Sequence, residues 1–157
     1  MLSNVKEFVR SRSLKNVICL PYQPIEELGK SLSAADLHVV VMGDPFVGIV
    51  HPCKIYNILR LGLPFLYIGP AKSHVTEMLP PGAEGDWAHL FRHGSAQSVA
   101  TCLEQCASLG PRRVEQATAV AERFSDGMLI PKFVQLLKQM ALASGIGKGE
   151  VRAYGWK

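Results

Sequence analysis

The chain has 157 residues, 48% of them hydrophobic and 19% charged, with a formal net charge of +4. That balance excludes a disordered chain. Pro, Gly, Lys or His interrupts every apolar stretch, which excludes a span of about 18 apolar residues or more. The Lys and Arg residues are scattered, without a basic–aromatic ribbon, so nucleic acid is not an expected partner and a small phosphorylated ligand or plain solubility accounts for the basic excess.

Residues 4–14 are expected to form a helix, because Val5, Phe8 and Val9 share one face with charges opposite. Lys6, Glu7 and Arg10 in this stretch depart from the layout of a signal peptide, and a cytoplasmic protein, at most peripheral at the inner face of the membrane, is expected. The apolar run Val17, Ile18, Cys19, Leu20 ends at Pro21 and reads as the first of about four short strands. Residues 24–34 carry Pro24 at a first helical position, Glu26 and Glu27 in the first turn and Lys30 later, all helix-start signals. Residues 37–42 (LHVVVM) are the clearest strand, and their near-continuous apolarity predicts burial on both faces. A loop with Gly, Asp and Pro follows over 43–51, and Pro52 opens a helix as far as Leu61. Gly62 and Pro64 end that helix before a buried strand over 65–68. A short helix over 71–79, a loop over 80–86 and a last strand over 88–92 come next. The rest reads as helical over 96–108, 111–124 and 127–143, with Pro131 either kinking the last helix or marking its first turn. Gly145, Gly147 and Gly149 mark residues 144–157 as a flexible tail.

Strands alternating with helices imply βαβ units with right-handed crossovers, hence an α/β fold with a parallel sheet and helices on both faces. Ligands of such sheets bind at the carboxyl ends of the strands, which points to residues 21–24, 43–54 and 69–74. Lys54 lies in the first turn of the helix that Pro52 opens. The free N–H groups and dipole of a helix N-terminus attract anions, and a cation there is favoured only if a phosphate lies between; the other reading is a solvated surface lysine. His51, beside the cap, can donate to a phosphate or a sugar hydroxyl, or be a plain loop histidine. Lys72, Ser73 and His74 stand at another strand end, as site residues or as an ordinary helix start. Asp44 is a turn residue or a sugar-side contact. His38 reads as a core histidine, and His89 and His93 carry no assignment. Among Cys19, Cys53, Cys102 and Cys106 there is no CxxC pair. Cys102 and Cys106 share a helix face, but no two further zinc ligands stand at suitable spacing, so reduced thiols and no metal are expected.

Three stretches resemble the C-terminal domain of retaining GT-B glycosyltransferases, especially those that build bacterial surface polysaccharides. NVICLPYQPIEELGKSLSAADL is similar to that family's strand, Pro-bearing loop and helix, with an AAD leading into the next strand. GIVHPCKIYNILRLGLPFLYIG is similar to its phosphate-loop helix, which reads G-hydrophobic-V-x-P-S-K-hydrophobic-Y and ends in G-x-P. Residues 124–140 resemble its long closing helix. The likeness spans residues 4–140, and the middle stretch is its most specific part.

The resemblance implies a partial Rossmann-like domain over 1–143 that binds a nucleotide sugar, with earlier strands of the sheet and the whole acceptor domain preceding Met1. Pro21, Tyr22 and Gln23 would border the base. Gly48, Ile49, Val50, His51, Cys53 and Lys54 would cradle the donor diphosphate, Lys54 through a charge-assisted contact. Asn57 would bind the ribose hydroxyls from a position where many members carry a glutamate. Ile49 stands where many carry a second glutamate, so the usual sugar-side contact is lacking. Cys53 replaces the usual serine and is a weaker donor; no catalytic residue is identified. The expected function is the donor-binding portion of a glycosyltransferase. It moves a sugar from a nucleotide diphosphate-sugar, a UDP-sugar by family default, to a polysaccharide or lipid-linked acceptor, with no cofactor. Alone, the chain is expected to bind nucleotide weakly without turnover, and its partner would be a separate acceptor-domain chain or a second copy. The alternatives are a non-catalytic interaction module and a sugar-nucleotide epimerase-like protein of the same fold. The lack of acids at Ile49 and Asn57 counts against the epimerase.

Overall fold

The computed structural model describes residues 2–143, and the tail expected over 144–157 lies outside them. The described residues form two compact units divided between Ala34 and Ala35. The first unit holds helix α1 (Leu2–Ser11), a 3₁₀ turn (Ile25–Glu27) and helix α2 (Leu28–Ser33). On α2 an exposed Lys30–Glu27 pair at 3.1 Å supports the first turn. The run 17–20 is not the strand expected of it. A strand exists only where a neighbour supplies its ladder, and this run has irregular backbone, with Ile18 82% and Leu20 66% exposed.

The second unit is built on strands β1 (His38–Val41), β2 (Phe65–Ile68) and β3 (Ala88–Phe91). They form a parallel sheet in the order β1-β2-β3, with His38 beside Phe65 and Phe65 beside Ala88. Helix α3 (Lys54–Arg60) makes the first crossover and α4 (His74–Glu77) the second. Helices α5 (Ala96–Leu109), α6 (Glu115–Glu122) and α7 (Asp126–Ala143) follow, and Pro131 lies inside α7. The sheet therefore has three strands among the described residues, one fewer than expected, and the α/β class with a parallel sheet holds.

Period-2 alternation sorts the strand side chains onto two faces. Val40, Phe65, Tyr67 and Ala88 face one way and pack with Ile55, Ile58 and Leu59 of α3, Val75 of α4 and Ala117 and Val120 of α6. Each fully buried aliphatic or aromatic side chain there contributes about 1.5–3 kcal/mol. Trp87 is wholly buried beside them, edge-on to Phe65 at 6.0 Å, with its N–H donated to Gln116. On the opposite face α5 packs against β3, and Leu66 and Cys102 are buried.

Burial of β1 on both faces, expected from LHVVVM, is not found. His38 and Val40 are buried, whereas Val39 and Val41 are 42% and 60% exposed. Continuous apolarity reports that a strand is hydrophobic, not that a helix lies over each side of it. β1 is an edge strand, and cover is complete only on the α3 side. His38 is buried, as a core histidine should be.

Two glycines fix how the chain turns at the ends of these elements. Gly62, at φ +64, stops α3, and its carbonyl accepts the N–H of Val114 at 2.8 Å, which seats α6 beside α3. Gly69 ends β2, where a Cβ would lie 2.5 Å from the Tyr67 hydroxyl and 2.9 Å from the Met42 carbonyl. No larger residue fits there without displacement.

Candidate functional site at the carboxyl ends of the strands

The loop after β1 (43–53) and the loop after β2 (69–73) leave the sheet at the same end and meet. Their junction is Tyr56, in the first turn of α3. Its hydroxyl lies 2.5 Å from Nε2 of His74 and 3.3 Å from Nδ1 of His51. The two imidazoles lie against each other with ring centroids 3.5 Å apart and planes tilted by 35°. Phe124 closes the group from behind, edge-on to Tyr56 at 5.3 Å and to His74 at 6.1 Å.

A hydroxyl between two imidazoles accepts from one and donates to the other, and the relay works in either direction. His51 is exposed, and Tyr56 and His74 are half-buried. Burial first, then the neighbouring His51, push the His74 pKa below the ordinary imidazole value, with Glu77 acting the other way. Burial, with a smaller effect of Cys53, pushes the Tyr56 phenol up. At neutral pH Tyr56 and His74 are therefore neutral, and the hydrogen-bonded chain is able to pass a proton between solvent and His74 and to donate to an oxyanion.

The diphosphate candidates divide. Gly48 adopts φ +76 in a tight turn, and the N–H groups of Ile49 and Val50 both donate to the Phe46 carbonyl at 3.1 and 3.0 Å. Those amides are already engaged within the turn. The first turn of α3 is likewise closed by bonds from Ile55 to Pro52 and from Tyr56 to Cys53. The helix start thus offers fewer free N–H groups than its sequence implies, and side chains carry the site. Cys53 is exposed, with Sγ 3.5 Å from the His51 carbonyl. Lys54 is exposed and reaches back to the Val39 carbonyl at 3.5 Å, on edge strand β1. Asn57 is exposed on α3.

Of the second group, Ser73 caps α4. Its hydroxyl accepts the Thr76 N–H at 3.3 Å, and the Thr76 hydroxyl accepts the Ser73 N–H at 3.0 Å, so the helix-start reading describes it. Lys72 is exposed, and His74 belongs to the cluster. Asp44 lies 4.0 Å from His93, whose Nε2 contacts the Met42 carbonyl at 2.8 Å. Pro21, Tyr22 and Gln23 belong to the first unit, where all three are exposed and the Gln23 amide donates to the Pro21 carbonyl at 3.0 Å.

Sequence reading missed Tyr56, Tyr67 and His93 as contributors. Tyr67 is 1% exposed, and its hydroxyl has no hydrogen-bond partner among the described residues. It borders a cavity of about 190 Å³ at this same end of the sheet, together with Gly69, Pro70, Thr76 and Arg92. The one signal in the sequence was a tyrosine at an inward position of a buried strand, since a phenol there needs a partner for its hydroxyl.

A parallel α/β sheet with polar loops gathered at its carboxyl end is a ligand-binding architecture, one that many chemistries use. Compared with protein-family models, with curated proteins and with solved structures, the chain matches none. No described helix is long and apolar enough to cross a membrane.

Proposed function

We propose that the chain is the donor-binding portion of a GT-B-like glycosyltransferase, holding a nucleotide diphosphate-sugar, a UDP-sugar by the resemblance, for transfer to a polysaccharide or lipid-linked acceptor. One observation carries the reading. The loop leading to Lys54 and the loop leading to His74 are joined through Tyr56 at the carboxyl end of the sheet, so two imidazoles lie where such sheets bind ligands and Lys54 opens the adjoining helix. The unpartnered Tyr67 hydroxyl at that end adds a group that a polar ligand would satisfy.

Glycosyl transfer breaks the bond from the anomeric carbon to the diphosphate oxygen, and negative charge grows on the diphosphate. Donors and cations fixed at that point stabilise the charge as it develops. Lys54 swings from the Val39 carbonyl to a phosphate with little loss, because its present contact is long and exposed.

The test is isothermal titration of the chain with UDP, GDP and UDP-sugars at low salt, with Lys54→Ala alongside. Saturable binding of one nucleotide is expected. The variant should lose about 1.5–3 kcal/mol, roughly 10- to 150-fold in Kd, with its fold retained. Equal binding by wild type and variant means the phosphate assignment is wrong.

A second reading, a non-catalytic interaction module, is favoured by α7, which exposes Ile130, Phe133, Leu136 and Met140. No nucleotide binding at millimolar ligand, together with association with a second copy or an acceptor-domain chain, would favour it.

A further inference from the structure

The unassigned His89 has a different setting from the other histidines. It sits within β3 on the face opposite the main core, paired in register with Leu66. Helix α5 covers that face and brings two thiols to it. Cys106 Sγ lies 3.5 Å from His89 Nε2, and Cys102 Sγ lies 3.9 Å from Cys106 Sγ. The three ligand atoms all fall within 4.8 Å of one another. Cys102 and Cys106 are one helical turn apart, and a strand fixes the histidine, so the cluster is borne by regular elements rather than loops.

Tetrahedral zinc binds thiolate at about 2.3 Å and imidazole nitrogen at about 2.0–2.1 Å, which sets sulfur–sulfur and sulfur–nitrogen separations of about 3.8 and 3.6 Å. The observed 3.9 and 3.5 Å match two of these separations to within a few tenths of an ångström, and the third pair, His89 and Cys102, lies within 4.8 Å. Two thiolates with an imidazole favour zinc over magnesium or calcium, which take oxygen ligands. The charges also suit a half-buried site, because two thiolates neutralise the dication. A nearby cation, Arg112, is held by Asp86 at 3.0 Å and also donates to the Asp86 carbonyl. His89 and Cys106 line a cavity of about 280 Å³ with Leu37, Pro64, Leu103 and Arg112, at the amino end of the strands.

We propose that His89, Cys102 and Cys106 form a three-ligand zinc site whose fourth position opens into this cavity. The site is independent of the carboxyl-end cluster and of the nucleotide reading. Three protein ligands with an open position are the arrangement that admits water or a small ligand to the metal.

The experiment is titration of the reduced full-length chain with Co²⁺, followed by competition with Zn²⁺. Expected are one equivalent bound, a thiolate-to-cobalt absorption band with tetrahedral d–d transitions, and displacement by one equivalent of Zn²⁺. Cys106→Ser and His89→Gln should each lose the tetrahedral spectrum while keeping the wild-type far-ultraviolet circular dichroism, and Cys19→Ser should keep the spectrum unchanged. The proposal is overturned if the reduced wild-type chain binds no cobalt, if it gives only an octahedral spectrum, or if either ligand variant retains the tetrahedral one. Should one ligand variant fail to fold, the other and the wild-type stoichiometry still decide.

Discussion

Substitution of Gly69 by alanine tests whether the carboxyl end of the sheet is as tightly built as the distances require. The added Cβ would lie 2.5 Å from the Tyr67 hydroxyl, 2.6 Å from its Cζ and 2.9 Å from the Met42 carbonyl. None of these neighbours moves freely. Tyr67 is 1% exposed, and the Met42 carbonyl is also the partner of His93. Gly69 does not have a positive φ, so alanine meets no backbone penalty there and the whole cost is steric. Overpacking of this kind costs about 1–3 kcal/mol. Urea denaturation followed by circular dichroism should show that loss in Gly69→Ala with an unchanged m-value. Tyr67→Phe in the same background removes the closest contact but leaves the other two, so it should restore only part of the loss. A loss below about 0.5 kcal/mol would refute the reasoning, because an ordinary surface position gives no more. The strand end would then be too loose to hold the loop that leads to His74.

Two further predictions concern the same loops. Because the folded His74 pKa is lowered, the fold prefers the neutral ring; stability is complete above about pH 6.5 and falls as pH drops from there towards the lowered value. Urea midpoints between about pH 5 and 8 should show this fall in the wild type and a smaller one in His74→Gln; identical profiles would remove His74 as its source. Ser73→Ala removes the side-chain half of the α4 cap and should cost about 0.5–2 kcal/mol by the same measurement, and no loss would mean that the short helix does not depend on its cap.

The crossover order was legible because each second-unit strand is a short apolar run bounded by Gly or Pro and separated by a helix signal. Phe65–Ile68 is observed as read. The same criterion failed at Val17, Ile18, Cys19 and Leu20, since apolarity does not supply a partner strand. It also failed to show that β1 lies at an edge, where Val39 and Val41 stay exposed. At the site, His51 and His74 were each legible as strand-end histidines, but their contact was not. It depends on Tyr56, five residues after His51, reaching both rings from α3. The turn at Ile49 and Val50 was not legible either, because a motif names residues and does not show that the Phe46 carbonyl takes their N–H groups.

The two clusters differ in what holds them, and that difference follows from the strand pattern. In β3 the side chains of Ala88 and Leu90 point to the main core, so His89 must point to α5, where residues one turn apart present two thiols. Position there is set by a strand and a helix, and a ligand finds the groups already spaced. At the carboxyl end Lys54, Tyr56 and His74 stand in the first turns of α3 and α4, and His51 comes from a loop. His51 follows a turn that Gly48 makes easy, and the Tyr56 hydroxyl and a ring contact tie it to His74. An anion arriving there can draw His51 and Lys54 away from weak internal contacts, with no core side chain displaced. A site set wholly by a strand and a helix binds what fits its spacing, whereas one completed by a loop residue can adjust to what arrives. The first arrangement suits a metal ion with fixed bond lengths, and the second would suit the phosphorylated ligand proposed above.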